Sequence, residues 1–267
     1  MAAITAKEVQ ALRKKTSAGI LDCRRALEET GGDMEEAERL LREKGIISAA
    51  KRQHRERTEG AVAVVVHGDH KPVAAIARLE CETDFVAKSP EFVSLVEEIA
   101  NELALKGDDA LAQFAGRIEE LTLVSKENIA LGQTVRFEAP DAAIIGSYLH
   151  LQNGRGVNAV LVELVGGPES LAHDIALHIA FARPEYLRRE DVPAEQIEDV
   201  RQTAAAIARN EGKPEAALDR IVEGRLQGWY KERVLLDQPF VRDEQYSIGQ
   251  LLGAAQLLRF AQAIVGS

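Results

Sequence analysis

The residues best equipped for chemistry in this chain are consecutive. Thr83, Asp84, Phe85 and Val86 set a hydroxyl, a carboxylate and an aromatic ring side by side, within Leu79-Glu80-Cys81-Glu82-Thr83-Asp84-Phe85-Val86-Ala87-Lys88. An acid beside an aromatic, just ahead of a helix start, reads as a probe and not as a pocket. On the local residues alone two outcomes stay open: Phe85 protrudes, or it folds back into the core while Asp84 or Thr83 hydrogen-bonds a free backbone amide. Other chemistry is thinly supported. There is no G-x-x-x-x-G-K-[ST] phosphate loop, no G-x-S-x-G nucleophile elbow and no H-E-x-x-H. Gly154-Arg155-Gly156-Val157-Asn158-Ala159 fits G-x-G-x-x-A, but it joins two expected strands, whereas a dinucleotide site needs that turn ahead of a helix. His67 with His70, and His173 with His178, lack two further ligands at metal spacing, so they are expected as solvated or core side chains. Cys23 and Cys81 form neither a disulfide framework nor a CxxC site and are expected as small buried residues.

Several elements must position this segment. Residues 73–82 read as a strand, and Ser89-Pro90-Glu91 supplies an N-cap, a first-turn proline and a first-turn acid, which leaves 83–88 as a connecting loop. With 267 residues, 46% of them hydrophobic, the chain can bury a sizeable core divided among two or three modules. Its net charge of -10 disfavours a phosphate-backbone binder and favours a protein partner. No apolar run approaches the roughly 18 to 20 residues of a membrane span, and the first residues do not resemble a secretory signal, so a cytoplasmic protein is expected.

The fold class expected is α+β. Residues 1–45 read as three short helices, punctuated by capping-box spacings at Thr5/Glu8 and Asp33/Glu36 and by Gly31-Gly32. A basic helix end and linker follows over 46–59. Gly60 to His67, a turn at Gly68-Asp69, the strand at 73–82 and the Ser89 helix form one hairpin-plus-helix unit. A second unit echoes it: a hairpin turning at Asn153-Gly154, then a helix after Gly167-Pro168-Glu169. This suggests two duplicated small antiparallel-sheet subdomains, one over 60–139 and one over 140–193 with 236–267; the stretch 134–138 is expected to add a third strand to the second sheet. Residues 194–235 read as a helical hairpin broken at Gly212-Lys213-Pro214, with Ile197, Val200, Ala204 and Ile207 facing Leu218, Ile221, Val222 and Leu226.

Three motifs in order resemble the elongation factor Ts family over nearly the whole chain. They are the segment around Thr83-Asp84-Phe85-Val86; Leu12-Arg13-Lys14-Lys15-Thr16-Ser17-Ala18-Gly19-Ile20-Leu21-Asp22-Cys23-Arg24-Arg25-Ala26-Leu27; and Glu223-Gly224-Arg225-Leu226 with Asp237-Gln238-Pro239-Phe240-Val241. Ser17 and Arg24 depart from the family's usual glycine and lysine, and 253–267 departs from its usual closing strand. The resemblance implies a guanine nucleotide exchange factor, not an enzyme, acting on elongation factor Tu without cofactor or metal of its own. It implies an N-terminal ubiquitin-associated-like domain that docks on the partner through Leu12, Ile20 and Leu21, and a further contact at His150. Thr83, Asp84, Phe85 and Val86 would insert near the partner's Mg²⁺. It implies no direct nucleic-acid or membrane partner and leaves open a homodimer of the heterodimer. An adaptor that binds another protein through the N-terminal domain is the alternative.

Overall fold

A computed structural model of the chain describes residues 4–16, 18, 20–52, 55–68 and 71–266. Ser17, Asp69 and His70, each singled out above, lie outside the described residues.

The N-terminal unit is three helices, α1 (Ala6–Thr16), α2 (Ile20–Glu29) and α3 (Met34–Arg52). The box at α1 forms as expected: the Glu8 N–H donates to Thr5 Oγ1 at 3.3 Å, and the Thr5 N–H donates to Glu8 Oε2 at 2.7 Å. At α3 only half of it forms. Asp33 Oδ1 accepts from the Glu35 and Glu36 amides, but the Glu36 carboxylate turns outward to Arg39. Leu12, Cys23, Leu27 and Ala37 make the small core, and α3 runs past the expected boundary at residue 45.

Two three-stranded antiparallel sheets form the body. The first is β1 (Glu59–His67), β2 (Val73–Cys81) and β3 (Ala130–Glu138); the second is β4 (Ala143–Gln152), β5 (Arg155–Val165) and β8 (Gln256–Ile264), in the orders β1-β2-β3 and β4-β5-β8. One expectation is corrected here. The stretch 134–138 belongs to β3 and pairs with β2 of the first sheet, not with the second. The tail, which departs from the family pattern in sequence, nonetheless supplies the closing strand β8, paired along β5. Backbone hydrogen bonding needs only an extended chain with one face able to be buried, so side-chain identity can drift while the strand persists.

Alternation along the strands makes four layers. Ala61, Ala63, Ala77 and Leu79 pack beneath α5 (Pro90–Lys106), while Val62, Ala74 and Ile76 turn to the other face and meet Ala159, Leu161 and Ala263 of the second sheet. The second sheet's outer face carries α7 (Glu169–Ala182) on Val160, Val162 and Leu164. Close approach dictates two glycines: a Cβ at Gly156 would sit 2.2 Å from the Val62 carbonyl oxygen, and one at Gly146 would lie 2.6 Å from the Ala172 backbone. The first unit is completed by a 3₁₀ segment (Asp108–Phe114) and α6 (Ala115–Ser125), with α4 being the single turn Asp84–Ala87.

The helical hairpin is α8 (Ala194–Asn210) and α9 (Glu215–Arg233), closed through Gly212 at φ 72°. Ala204, Ala208, Leu218 and Leu226 are buried, whereas Ile207 is 43% exposed and does not face the second arm as expected. At the hairpin root Tyr230 and Val234 pack with Val192, Trp229 and Tyr186, and the Arg189 guanidinium lies 4.6 Å from the Tyr230 ring centroid. The returning chain forms the small ribbon β6 (Pro239–Phe240) and β7 (Asp243–Ser247), then α10 (Ile248–Leu252).

His178 on α7 ties this return to the body. Fully buried, it bonds through Nε2 to Gln238 Oε1 at 2.9 Å and accepts the Val241 N–H on Nδ1 at 3.4 Å, which requires the neutral ring with its proton on Nε2. Burial lowers its pKa below the ordinary 6.5. A base lowered in the folded state contributes stability that is complete above the unfolded pKa and is lost as pH falls from 6.5 toward the folded value. Urea unfolding should therefore show a loss of stability as pH falls below 6.5 that is reduced in His178→Asn. The same variant should cost about 1–3 kcal/mol near pH 7, and an unchanged pH dependence would show that His178 is not the titrating group.

Candidate functional site

Strand β2 ends at Cys81, and the chain then enters a single helical turn, α4, where a loop was expected. The reason is local. Thr83 is extended (φ -124°, ψ 153°) in the N-cap position, Asp84 is an acid in the first turn, and Ser89 restarts the backbone as the cap of α5, with its Oγ accepting the Phe92 N–H at 3.3 Å. Ala87 is fully buried and Val86 half-buried against the core beneath α5, so the turn is rooted on one side. Phe85 faces the other way and is 82% exposed. The ring therefore does not fold back into the core, and its large apolar face is presented to solvent on a fixed pedestal.

Asp84 pairs with Lys88 one turn on, and the Lys88 Nζ stands 6.0 Å from the Phe85 ring centroid. The bond to Lys88 and its charge hold the Asp84 carboxyl below the usual carboxylate range, with a lesser contribution from Arg155, so Asp84 is an anion at neutral pH. Arg155 reaches this end of the molecule from the second sheet: its Nη1 donates to Gly60 O at 2.5 Å and its Nη2 meets Glu59 Oε2 at 2.6 Å. The Cys81 Sγ is 3.2 Å from Thr83 O, and burial pushes its thiol up to about 12, which removes it as a nucleophile.

Sequence reasoning missed the residue that holds the entry to this turn. Thr83 makes no side-chain cap; its hydroxyl instead donates to Glu127 Oε1 at 2.5 Å, and the Glu82 and Thr83 N–H groups donate to Glu127 Oε2 at 3.1 and 3.0 Å. Nothing local points to it, since Glu127 lies 44 residues from Thr83. The one available signal was an acid in the short connection between α6 and β3.

The expected docking residues separate into two kinds. Leu12 is fully buried in the three-helix core and offers no surface to a partner, so its place in the contact set is corrected: α1 needs it to close a core of very few residues. Ile20 and Leu21, in the first turn of α2, are 54% and 68% exposed and form a small apolar patch. Arg24 pairs with Glu28 on the same helix. His150 lies exposed near the end of β4, its ring 6.4 Å from that of Tyr148 at an interplanar angle of 17°. The structure thus brings Thr83 to Val86 together as one projecting turn, keeps Ile20 and Leu21 on a separate module, and sets His150 on the second sheet. Between the helical module and the body, Lys126 Nζ meets Asp22 Oδ2 at 3.3 Å and Asn128 Nδ2 donates to Arg55 O at 2.8 Å.

Among the described residues no group of three or more His, Cys, Asp or Glu side chains is placed to hold a metal ion. The Gly154-Gly156 turn joins β4 to β5, as the strand reading required. Among the described residues no helix is long and apolar enough to cross a membrane.

A family model described as elongation factor TS matches residues 82–267, beginning two residues ahead of the Asp84–Ala87 turn. Curated relatives named elongation factor Ts extend the match through the N-terminal helices. The protein of Renibacterium salmoninarum is 41% identical over 282 residues, covering 100% of both chains. That of Thermobifida fusca is 41% identical over 281 residues, covering 100% of this chain and 99% of its own. That of Aquifex aeolicus is 39% identical over 275 residues, covering 94% and 92%. With a projecting acid-aromatic turn where the family match begins and relatives aligned along the whole length, the chain belongs to the elongation factor Ts family, a family of translation elongation factors.

Proposed function

We propose that the chain carries out the family's nucleotide-exchange role on elongation factor Tu by pressing the Asp84-Phe85 turn against the partner's Mg²⁺ and phosphate site. The observation that carries this is the rooted, 82%-exposed Phe85 beside an anionic Asp84. A GTPase holds GDP through phosphate-loop amides and a Mg²⁺ that keeps several waters and few protein ligands, so small displacements spoil its coordination. Phe85 wedges between partner helices near that site, and Asp84 perturbs the ion's ligands by charge and by bulk. Thr83 and Val86 hold the turn's shape. Once the ion is displaced the diphosphate loses its main counter-charge and leaves. No bond is made or broken on this chain, and linkage makes the effect reciprocal: GDP weakens the complex by the same factor as the complex weakens GDP.

The three-helix module, read as ubiquitin-associated-like, supplies the first contact through Ile20 and Leu21, and His150 adds one from the second of the two duplicated units. Tethering then raises the effective concentration of the probe at its target.

Stopped-flow release of a fluorescent GDP from elongation factor Tu tests the probe. Phe85→Ala and Asp84→Ala should each slow stimulated release roughly 5- to 30-fold with an unchanged circular dichroism spectrum. Wild-type rates in both variants would remove the probe from the mechanism.

The docking patch is tested in the full chain with the double variant Ile20→Ser/Leu21→Ser, because both side chains already face solvent. The concentration giving half-maximal release should rise about 10-fold while the maximal rate stays within about 2-fold. Leu12→Ala should act differently, destabilising the helical unit by about 2–5 kcal/mol. A fall in maximal rate in the double variant, without a shift in half-saturation, would place the first contact elsewhere.

A further inference from the structure

We infer that Glu127 is the positioning residue of the probe, clamping the entry to the Asp84–Ala87 turn so that Phe85 and Asp84 present one orientation. The inference rests on the exchange reading above.

A four-residue helix has no stability of its own, because nucleation fixes several residues for a single hydrogen bond. Its first amides and its entry angle are normally set by the N-cap side chain, and here that side chain is turned away. The Thr83 hydroxyl is committed to Glu127, and the same carboxylate takes the two backbone N–H groups that lead into the turn. One side chain therefore fixes both the peptide plane and the Thr83 rotamer at the pivot of the probe. The clamp is reciprocal: Glu82 Oε1 accepts the Asn128 N–H at 2.7 Å, so two acids cross between the β2 exit and the β3 entry. Glu127 is itself aimed by its own turn, with Lys126 in the left-handed region at φ 62° and the Glu127 N–H donating to Ser125 Oγ at 3.2 Å. Three donors converge on one half-buried carboxylate as charge-assisted bonds, whereas the Asp84–Lys88 pair joins two residues across the turn itself and does not fix its entry. Loss of the clamp leaves Phe85 attached but free to swing, which affects the exchange step and not the docking surface.

The test compares Glu127→Ala with Glu127→Gln in the full chain. Glu127→Ala should lower the maximal rate of GDP release about 10-fold and leave the half-saturating concentration within about 2-fold, since the docking contacts are untouched. Glu127→Gln keeps the length and an acceptor oxygen for the two amides, and should recover the rate to within about 3-fold of the parent. Amide hydrogen exchange provides an independent arm: Glu82 and Thr83 should lose protection in Glu127→Ala while the β2 amides keep theirs. Full maximal rate in Glu127→Ala, or retained protection of those two amides, overturns the inference. Should Glu127→Ala loosen β2 as well, Glu127→Gln decides: recovery supports positioning and a rate as low as that of the alanine variant refutes it. If the parent chain fails to accelerate GDP release the exchange reading falls, and the amide arm alone then decides whether Glu127 clamps the turn.

Discussion

Everything in the body of this protein depends on how closely two small sheets can stack. Each has only three strands and cannot bury two faces unaided, so each covers one face with a helix and gives the other to its neighbour. The interface consists of short side chains such as Ala74, Ala159 and Ala263, and Gly156 lies so near the Val62 carbonyl that no Cβ fits. That proximity is what lets Arg155, rooted in the second sheet, reach Glu59 and Gly60 at the start of β1 and add its charge beside Asp84. A projecting turn carried by a lone hairpin would have only its own strands behind it. Here it has four layers.

Rigidity and exposure are in tension at such a site. An exposed phenylalanine gains hydrophobic free energy by collapsing onto the surface, and the chain prevents this by burying its neighbours instead. Val86 and Ala87 commit the turn to the core, while the carboxylate of Glu127 occupies the donors at its entry. The exposed apolar patch at Ile20 and Leu21 has a different design. Ile20 and Leu21 sit on a three-helix unit with a small core, and a surface pair between Asp22 and Lys126 is one of the bonds that join this unit to the body. Such surface pairs are worth little, so this one adds little to the hold of the body on the helical unit.

Much of this was legible in the residues. Capping signals at Thr5 and Ser89, period-two strands and the break at Gly212 located most elements, and the acid-aromatic segment marked the candidate site. Where the reading failed, the deciding information was non-local. Which sheet takes residues 134–138 depends on pairing with β2 across more than fifty positions of chain, and periodicity cannot see that. Leu12 and Ile20 are equally apolar, and only the angular placement of α1 and α2 separates core from surface. Ile207 failed for the same reason, since a helix row one position off its partner points to solvent. Glu127 was missed because two of its three donors are backbone amides, which carry no sequence signature, and the third, the Thr83 hydroxyl, lies 44 residues away.

Strand order also sets a timetable. The first sheet is complete once residue 138 has been made, so the probe and its pedestal can form while synthesis continues. The second sheet waits for β8, whose residues 256–264 follow the whole helical hairpin in the chain, and β5 keeps one edge unpaired until they arrive. For a nascent chain, the sheet that carries the Asp84–Ala87 turn is thus complete first, and the sheet that braces it stays open until residues 256–264 have been made.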